Sequence, residues 1–336
     1  FLIEKLNKIP VPVLLLLNKV DKTNQHKLEK LVEEGHDIGY VVTQPDRAGN
    51  RGKVTFSPVK KAAVDCSIPV LQPENINRAS EEKEKMKEFD ADAIIVVAYG
   101  QILKRDILDM PKVGCFNVHG SLLPKLRGAA PIQQAILQGD KRTGVTIMKM
   151  EEGLDSGDMI SKAETEIRDK NFKDIHDELS LMGAELMAET LTLIENGQAK
   201  YKKQDESIAT YAPRIEKKDG AVDFTKSAFH IQQKIRAFDP WPGAFCRYNG
   251  ANMKLWKAVA LRDNVGDNQD AGVKPEKRTL KEAVPGAVLS ADSTGIIVKC
   301  GEGYLNIEEL QLPGKKRVRA ADFIRGHKIE IGKVLE

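Results

Sequence analysis

The chain contains little cysteine, with four such residues among 336. Cys66, Cys115, Cys246 and Cys300 are far apart in the sequence. None of the intervals between them has the short spacing of a metal-binding motif, so the sequence implies no cysteine-based metal site. The simplest interpretation is that all four are structural thiols in a reducing compartment.

Long apolar runs are also missing. The longest, Val11–Leu17, is too short to cross a bilayer and is followed directly by a charged segment. No small-residue cleavage site comes after it, so it does not resemble a signal peptide. We therefore expect a cytoplasmic protein that has no membrane partner.

Charge of one sign is not in large excess, because the formal net charge is only +3. The charges are unevenly distributed, however, with 24 Lys and Arg against 18 Asp and Glu from Tyr201 to the end. A basic C-terminal part suits a catalytic domain with an appended module that binds a polyanion. On charge alone, a solvated basic surface is the favoured interpretation.

The first two hundred residues alternate between strand-like and helix-like stretches. The predicted strands are Val11–Leu17, Ile38–Thr43, Ile68–Leu71, Ala93–Ala98, Phe116–His119 and Gly144–Met150. The predicted helices are His26–Glu34, Pro58–Asp65, Ser80–Phe89 and Phe172–Asn196. This alternation predicts an α/β domain with a doubly wound, mostly parallel sheet, whose active site lies beyond the carboxyl ends of the strands.

The pattern changes after a polar linker, which we place at residues 201–213. A helix is predicted at Ala228–Phe238, and a polar stretch, Arg262–Val284, is predicted to be an excursion between two strands. The predicted strands are Ala244–Tyr248, Met253–Leu261, Gly286–Leu289, Gly295–Lys299 and Tyr304–Gln311. Several short strands at this spacing predict a small β-barrel. The predicted domains are thus residues 1–200 and 214–336.

The densest chemical signal is the segment that contains Asn117 and His119. On a strand these residues lie two apart, so their side chains leave on the same face. An amide donor and an imidazole that enter one crevice suit acyl transfer, which needs an oxyanion stabiliser and a group that handles protons. For an isolated Asn-x-His, the favoured interpretation is a pair of polar residues that satisfy each other at a strand end.

A second signal follows the strand that ends near Met150. The loop 151–158 contains Asp155 between Gly153 and Gly157, with Asp158 directly after the second glycine, and the two glycines permit a tight turn that aims one carboxylate inward. A carboxylate beside His119 would fix the tautomer of its ring. Asp155 is the first candidate and Asp158 its rival, although either alone is more simply a turn residue.

These motifs together resemble a known family. The segment 114–160, which includes FNVHGSLLP and EEGLDSGD, is similar to the core of methionyl-tRNA formyltransferases. The resemblance implies that Asn117, His119 and Asp155 are the catalytic residues. It also implies which residues form the wall around the pterin and its formyl group, namely Ser121, Leu122, Leu123 and Pro124, followed by Arg127-Gly128. The same resemblance places Tyr99 and Gly100 in the lining of the folate pocket.

The resemblance extends to a nucleic-acid partner. The glycine-rich segment with Arg47, Arg51 and Lys53 resembles the family's loop that inserts into the acceptor end of initiator tRNA. Three cations and two glycines in so short a segment suit a flexible loop that binds phosphate groups. Phe238–Ala244 resembles the Pro-Trp-Pro signature that opens the family's OB-like C-terminal barrel. The candidate phosphate contacts on that barrel are Lys217, Lys315, Lys316 and Arg317.

The resemblance covers residues 28–336, and the family's Gly-Thr-Pro loop is missing from residues 1–27. Pro10–Gln25 instead resembles the strand and Asn-Lys-x-Asp motif of an Era-like GTPase. No Gly-x-x-x-x-Gly-Lys-Ser/Thr loop accompanies that motif, which argues strongly against GTP binding.

The resemblance implies an enzyme that transfers the formyl group of 10-formyltetrahydrofolate to methionyl-initiator-tRNA. We expect it to be a monomer that uses no metal. Two alternatives stay open. One is a formyltransferase for a small amine, such as a sugar nucleotide or glycinamide ribonucleotide, and the other is a catalytically dead RNA-binding relative.

Overall fold

The computed structural model describes residues 13–17, 36–46, 56–261 and 283–336. The predicted helix His26–Glu34 and nearly all of the predicted excursion Arg262–Val284 lie outside these ranges. The chain forms two compact units. The first contains the chain up to Pro131, Arg142–Glu166 and His176–Pro213, and the second contains Ile132–Lys141, Ile167–Ile175 and Arg214–Glu336.

The first unit is built on a seven-stranded sheet with the strand order β3-β2-β1-β4-β5-β7-β8. These strands are β1 (Val13–Leu17), β2 (Ile38–Val42), β3 (Val70–Leu71), β4 (Ala93–Val97), β5 (Gly114–His119), β7 (Arg142–Lys149) and β8 (Met159–Glu166). Pairing is parallel from β3 to β5 and antiparallel from β5 to β8. The prediction of a mostly parallel α/β sheet is therefore confirmed.

Burial explains why the central strands are so apolar. All five residues of β4 are buried, as expected for a parallel strand covered on both faces. β8, in contrast, lies at one end of the strand order and alternates between half-buried and exposed positions. An edge strand of this polar composition has too few apolar residues to be found from hydrophobic runs, and the sequence analysis missed it.

The helices agree with the sequence pattern where it was strong. They are α1 (Pro58–Asp65), α2 (Ser80–Glu88), α3 (Arg105–Leu108), α4 (Pro131–Gln138), α5 (Phe172–Glu195), α6 (Ala228–Ala237) and α7 (Ala320–Gly326). α1 begins after Ser57, whose hydroxyl accepts a hydrogen bond from Lys60 N at 3.1 Å, with Pro58 at its first position. The short helices α3, α4 and α7 were not predicted, because each is too brief to show a clear helical period.

The second unit contains an antiparallel sheet with the order β10-β11-β14-β13-β12, and β15 pairs with β14. The strands are β10 (Ala244–Tyr248), β11 (Ala251–Leu261), β12 (Val288–Asp292), β13 (Gly295–Lys299), β14 (Tyr304–Gln311) and β15 (Val318–Arg319). They enclose a core that includes Leu255, Val298 and Leu305. β12 lies two residues later than the predicted strand Gly286–Leu289, because Gly286 adopts a positive φ of 90° before the strand begins.

The predicted linker 201–213 is more ordered than its polar composition suggested. It contains a 3₁₀ helix at Glu206–Ile208 and the strand β9 (Tyr211–Ala212), which pairs in parallel with β6 (Arg127–Gly128). Through this pairing the linker lies against the segment that follows the Asn-x-His strand.

Candidate active site

Strand β5 places Asn117 and His119 at the carboxyl end of the parallel part of the sheet. Asn117 lies opposite Val96 of β4 on one side and Met148 of β7 on the other. His119 is only 5% exposed, whereas Asn117 is half-buried. Residues two positions apart on a strand share one face, so the buried imidazole is next to the partly accessible amide.

The two ring nitrogens of His119 face different oxygens. Nε2 lies 3.0 Å from the carbonyl oxygen of Leu126, which can only accept a hydrogen bond, so this nitrogen carries a hydrogen. Nδ1 lies 3.6 Å from Oδ2 of Asp155. That distance is longer than a hydrogen bond but short enough for strong electrostatic interaction with a protonated ring.

Asp155 joins these groups into one cluster. Its Oδ1 accepts from Nδ2 of Asn117 at 3.3 Å, and its Oδ2 accepts from Gly128 N at 2.8 Å. Its backbone has a φ of +48°, in the left-handed region that Asp enters more readily than most residues. Asp158, the rival candidate, uses its carbonyl oxygen to accept from Lys149 N at 2.9 Å. The geometry thus favours Asp155 as the partner of His119.

The segment after His119 is fixed by a threonine that the sequence analysis missed. Thr146 is fully buried; its hydroxyl donates to the carbonyl oxygen of Ser121 at 2.7 Å and accepts from Leu123 N at 3.1 Å. Ser121 also donates its hydroxyl to the carbonyl of Lys125 at 2.7 Å. Thr146 lies opposite His119 in the antiparallel β5–β7 pair. Only this pairing marks it as a site residue, and the pairing is not visible in the sequence.

Two of the candidate folate residues have side chains that belong to the core. Tyr99 is 2% exposed and packs in a cluster with Ile94 and Cys115, and burial raises the pKa of its hydroxyl to about 12. Leu123 packs against Met148 and Met159. Neither side chain is exposed to a ligand in this conformation.

The other candidates in these segments are placed differently. Gly100 follows Tyr99 with a φ of 77°, which fits the predicted turn after β4. Leu122 is half-buried and Pro124 is buried. The role of the whole set in folate binding stays a prediction.

Comparisons with known proteins identify the family of this chain. A family model described as "Formyl transferase" matches residues 13–191, and one described as "Formyl transferase, C-terminal domain" matches residues 214–328. A methionyl-tRNA formyltransferase of Bacillus velezensis is 47% identical over 311 residues, which cover 92% of this chain and 93% of that protein. The chain belongs to the methionyl-tRNA formyltransferase family. A second member, from Coxiella burnetii, is 44% identical over 302 residues that cover 89% of this chain and 91% of that protein.

Solved structures share the fold at low identity. HypX from Aquifex aeolicus in complex with tetrahydrofolic acid superposes with a TM-score of 0.60 at 17% identity, over 96% of this chain and 50% of that one, so the chain spans about half of HypX. An N-formyltransferase from Helicobacter canadensis, in complex with folinic acid and dTDP-3-aminofucose, gives a TM-score of 0.63 at 17% identity, over 92% and 100% of the two chains.

The start of the formyltransferase match bears on the unusual N-terminus. Because the match begins at residue 13, strand β1 is part of the formyltransferase domain, where it pairs in parallel with β2 and β4. The suggested relation of Pro10–Gln25 to an Era-like GTPase receives no support from these comparisons.

The predicted tRNA contacts of this formyltransferase divide into three groups. Arg47, Arg51 and Lys53 lie outside the described residues. Lys217, Lys315 and Lys316 are exposed in the second unit. Arg317 is already engaged within that unit, which distinguishes it from its lysine neighbours.

The engagement of Arg317 has three parts. Its Nη1 lies 3.2 Å from Oδ2 of Asp239, its Nε donates to Glu309, and its guanidinium lies 5.3 Å from the ring centroid of Trp256. Burial raises the pKa of Asp239, and Arg317 opposes that shift. Arg317 therefore stabilises the second unit whether or not it also contacts a phosphate.

Two negative observations apply to the part of the chain that the structure describes. It contains no group of three or more His, Cys, Asp or Glu side chains arranged to hold a metal ion. It also contains no helix whose length and apolar character would let it cross a membrane.

Proposed function

We propose that this formyltransferase moves the formyl group of 10-formyltetrahydrofolate to the amine of methionyl-initiator-tRNA, for translation initiation. The observation that carries the proposal is the cluster of Asn117, His119 and Asp155 at the carboxyl end of β5, in a chain 47% identical to a methionyl-tRNA formyltransferase. The folate donor is a substrate, and the reaction requires no metal in this scheme.

The side chains of the cluster suit the separate needs of acyl transfer. When the α-amine attacks the formyl carbon, negative charge develops on the formyl oxygen. Asn117 donates one amide hydrogen to Asp155 and has a second that can be donated to that oxygen. His119 takes part in handling the proton that the amine loses, directly or through water.

Asp155 supports both partners in this scheme. Its carboxylate holds the Asn117 amide through one oxygen and faces Nδ1 of His119 with the other. When the ring carries a second proton, the carboxylate stabilises the imidazolium electrostatically, because both groups are largely removed from water. Asp155 thus holds Asn117 and His119 in fixed positions relative to each other during the reaction.

Cationic side chains would bind the tRNA substrate. We expect Arg47, Arg51 and Lys53 to contact the acceptor end, and Lys217, Lys315 and Lys316 to contact the tRNA backbone. The exposure of these last three lysines supports this assignment. We propose that the enzyme acts as a monomer in the cytoplasm, where translation initiates.

Competition between tRNA and small amines tests the substrate. Methionyl-initiator-tRNA, a sugar nucleotide amine and glycinamide ribonucleotide are offered with 10-formyltetrahydrofolate at several salt concentrations. We expect formylation of the tRNA alone, with an affinity that falls steeply with salt because phosphate contacts release counterions. Formylation of a small amine with little salt dependence would contradict the proposed substrate. As a catalytic control, Asn117→Ala should lower kcat by about 10²–10³-fold, the usual cost of one oxyanion donor.

A further inference from the structure

The linker reaches the loop that carries Asp155 through one glutamine. The Nε2 group of Gln204 donates to the carbonyl oxygen of Asp155 at 2.7 Å and to that of Gly157 at 2.8 Å. A primary amide has two N–H hydrogens, so this one nitrogen satisfies both carbonyls. The two contacts lie on either side of Ser156 in the sequence and hold the backbone of the loop, whereas Asn117 and Gly128 contact the Asp155 carboxylate.

The amide of Gln204 is itself oriented by a buried arginine. Its Oε1 accepts from Nε of Arg127 at 3.0 Å, so a flipped amide would bring two donors together. Arg127 is 2% exposed, and its Nη1 and Nη2 donate to the two carboxylate oxygens of Glu206 at 3.0 and 2.7 Å. This bidentate pair raises the pKa of Arg127 and lowers that of Glu206, so both stay charged at neutral pH.

The backbone beside Arg127 contacts the catalytic residues on their other side. Leu126 accepts from His119 through its carbonyl, and Gly128 N donates to the carboxylate of Asp155. The linker fixes this short segment as well, because Leu126 N donates to the Thr210 hydroxyl at 2.9 Å and Arg127 N to the Thr210 carbonyl at 2.8 Å. This short segment thus contacts Asp155 directly through Gly128 N and indirectly through the Arg127 side chain, which orients Gln204.

The conformation of Asp155 explains why such support is needed. With a φ of +48°, it adopts a left-handed backbone that is uncommon for residues other than glycine, although Asp and Asn take it more often than most, and the four residues before it, 151–154, are exposed. Without external contacts, a loop of this kind would sample other conformations and move the carboxylate away from His119.

We propose that Gln204 is a positioning residue for formyl transfer, which holds Asp155 in its reactive conformation and is itself oriented by the Arg127–Glu206 pair. The proposal rests on the proposed function only in naming the reaction; the restraint on the loop can be measured without activity. The linker therefore takes part in organising the catalytic site in addition to connecting the two sequence-predicted domains.

Two substitutions separate the contacts of Gln204. Gln204→Met removes the amide and keeps the length of the side chain. Gln204→Glu keeps an acceptor for Arg127 and removes both donors to the loop. Ser207→Ala is the matched control, because Ser207 is an exposed linker residue whose hydroxyl donates to the neighbouring Asp205.

We expect both Gln204 variants to lower kcat by about 10–100-fold, the usual effect of misplacing a catalytic group by about 1 Å. The KM for each substrate should stay within about twofold, since the tRNA and folate contacts are not altered, and Ser207→Ala should match the parent. Equal kcat for Gln204→Glu and the parent would overturn the proposal, because that variant removes both donors to the carbonyl oxygens and places a repulsive carboxylate beside them.

Two further readouts separate positioning from a general structural role. In an Asp155→Asn background, Gln204→Met should lower kcat by less than about threefold, because the effects of residues that act through one another are non-additive. An undiminished loss in that background would overturn the proposal. Hydrogen exchange of residues 151–158 should accelerate in both Gln204 variants, and unchanged exchange would equally overturn it. If the parent transfers no formyl group and exchange still accelerates, the proposed function fails while the restraint on the loop stands.

Discussion

Replacement of Asp155 by Asn removes one charge and leaves the shape of the side chain almost unchanged. Asn also tolerates a positive φ better than most residues, so the φ of +48° at this position can persist. The carboxylate accepts from both Asn117 Nδ2 and Gly128 N, through different oxygens. An Asn side chain has only one acceptor oxygen, so its NH₂ group must face one of these two donors in either orientation.

The expected loss follows from these contacts. One lost hydrogen bond to a charged group is worth about 1.5–3 kcal/mol, or about 10–150-fold in rate. The lost attraction between the carboxylate and a protonated His119 adds to this; at 4 Å near a protein surface it is worth up to about 4 kcal/mol. Because the two effects overlap, we expect kcat to fall about 10²–10⁴-fold for Asp155→Asn.

Single-turnover formylation by rapid quench measures this loss without interference from product release. The tRNA affinity should match the parent, since the substitution changes none of the cationic candidates. The free energy of unfolding should fall by no more than about 1–3 kcal/mol, the cost of one unsatisfied donor at this largely buried side chain. A single-turnover rate within about fivefold of the parent, in a folded variant, would refute the role assigned to the carboxylate.

Two further predictions concern stability and chemical reactivity. Arg317→Ala should lower the free energy of unfolding by about 1 kcal/mol, because it leaves the buried Asp239 without its cation. Lys316→Ala, at an exposed neighbour, should leave the thermal midpoint unchanged. It should reduce the slope of tRNA affinity against salt concentration by about 1. Equal midpoints for the two variants would contradict the structural role of Arg317. Alkylation by iodoacetamide at pH 8 should modify the half-buried Cys66 alone, because burial raises the pKa of each of the other three thiols to about 12 and keeps them protonated and covered. Mass spectrometry that found a second cysteine modified in the native protein at a similar rate would contradict this.

The sequence predicted the elements whose physical signal is local. The apolar run Ala93–Ala98 predicted β4, and the alternation of strands and helices predicted the mostly parallel sheet. The period of a strand also placed Asn117 and His119 on one face, and the glycines around Asp155 indicated a tight turn. Each of these inferences needed only neighbouring residues in the chain.

The contacts that depend on distant pairing could not be predicted in this way. Gln204 and Thr146 are ordinary polar residues in the sequence, and their importance comes from where the fold places them. Gln204 is 49 residues from Asp155, and no local period marks it. Arg127 was predicted to line the folate wall, yet its guanidinium is buried against Glu206, because a charged group removed from water requires an opposite charge.

Residues 1–27 present a different problem. The usual Gly-Thr-Pro loop of the family is missing from the sequence, and residues 18–35, which follow β1, lie outside the described residues. Strand β1 itself pairs in parallel with β2 and β4, so the sheet has its first strand. Activity is therefore the direct test of whether the charged segment after β1 permits folate binding.

Transfer of labelled formyl from 10-formyltetrahydrofolate to methionyl-initiator-tRNA, with His119→Ala as the control, tests the central claim most directly. We expect label on the tRNA amine with the parent enzyme and a large loss of label with His119→Ala. A folded parent enzyme that binds the tRNA and transfers no label, or an equal rate in the His119→Ala variant, would contradict it.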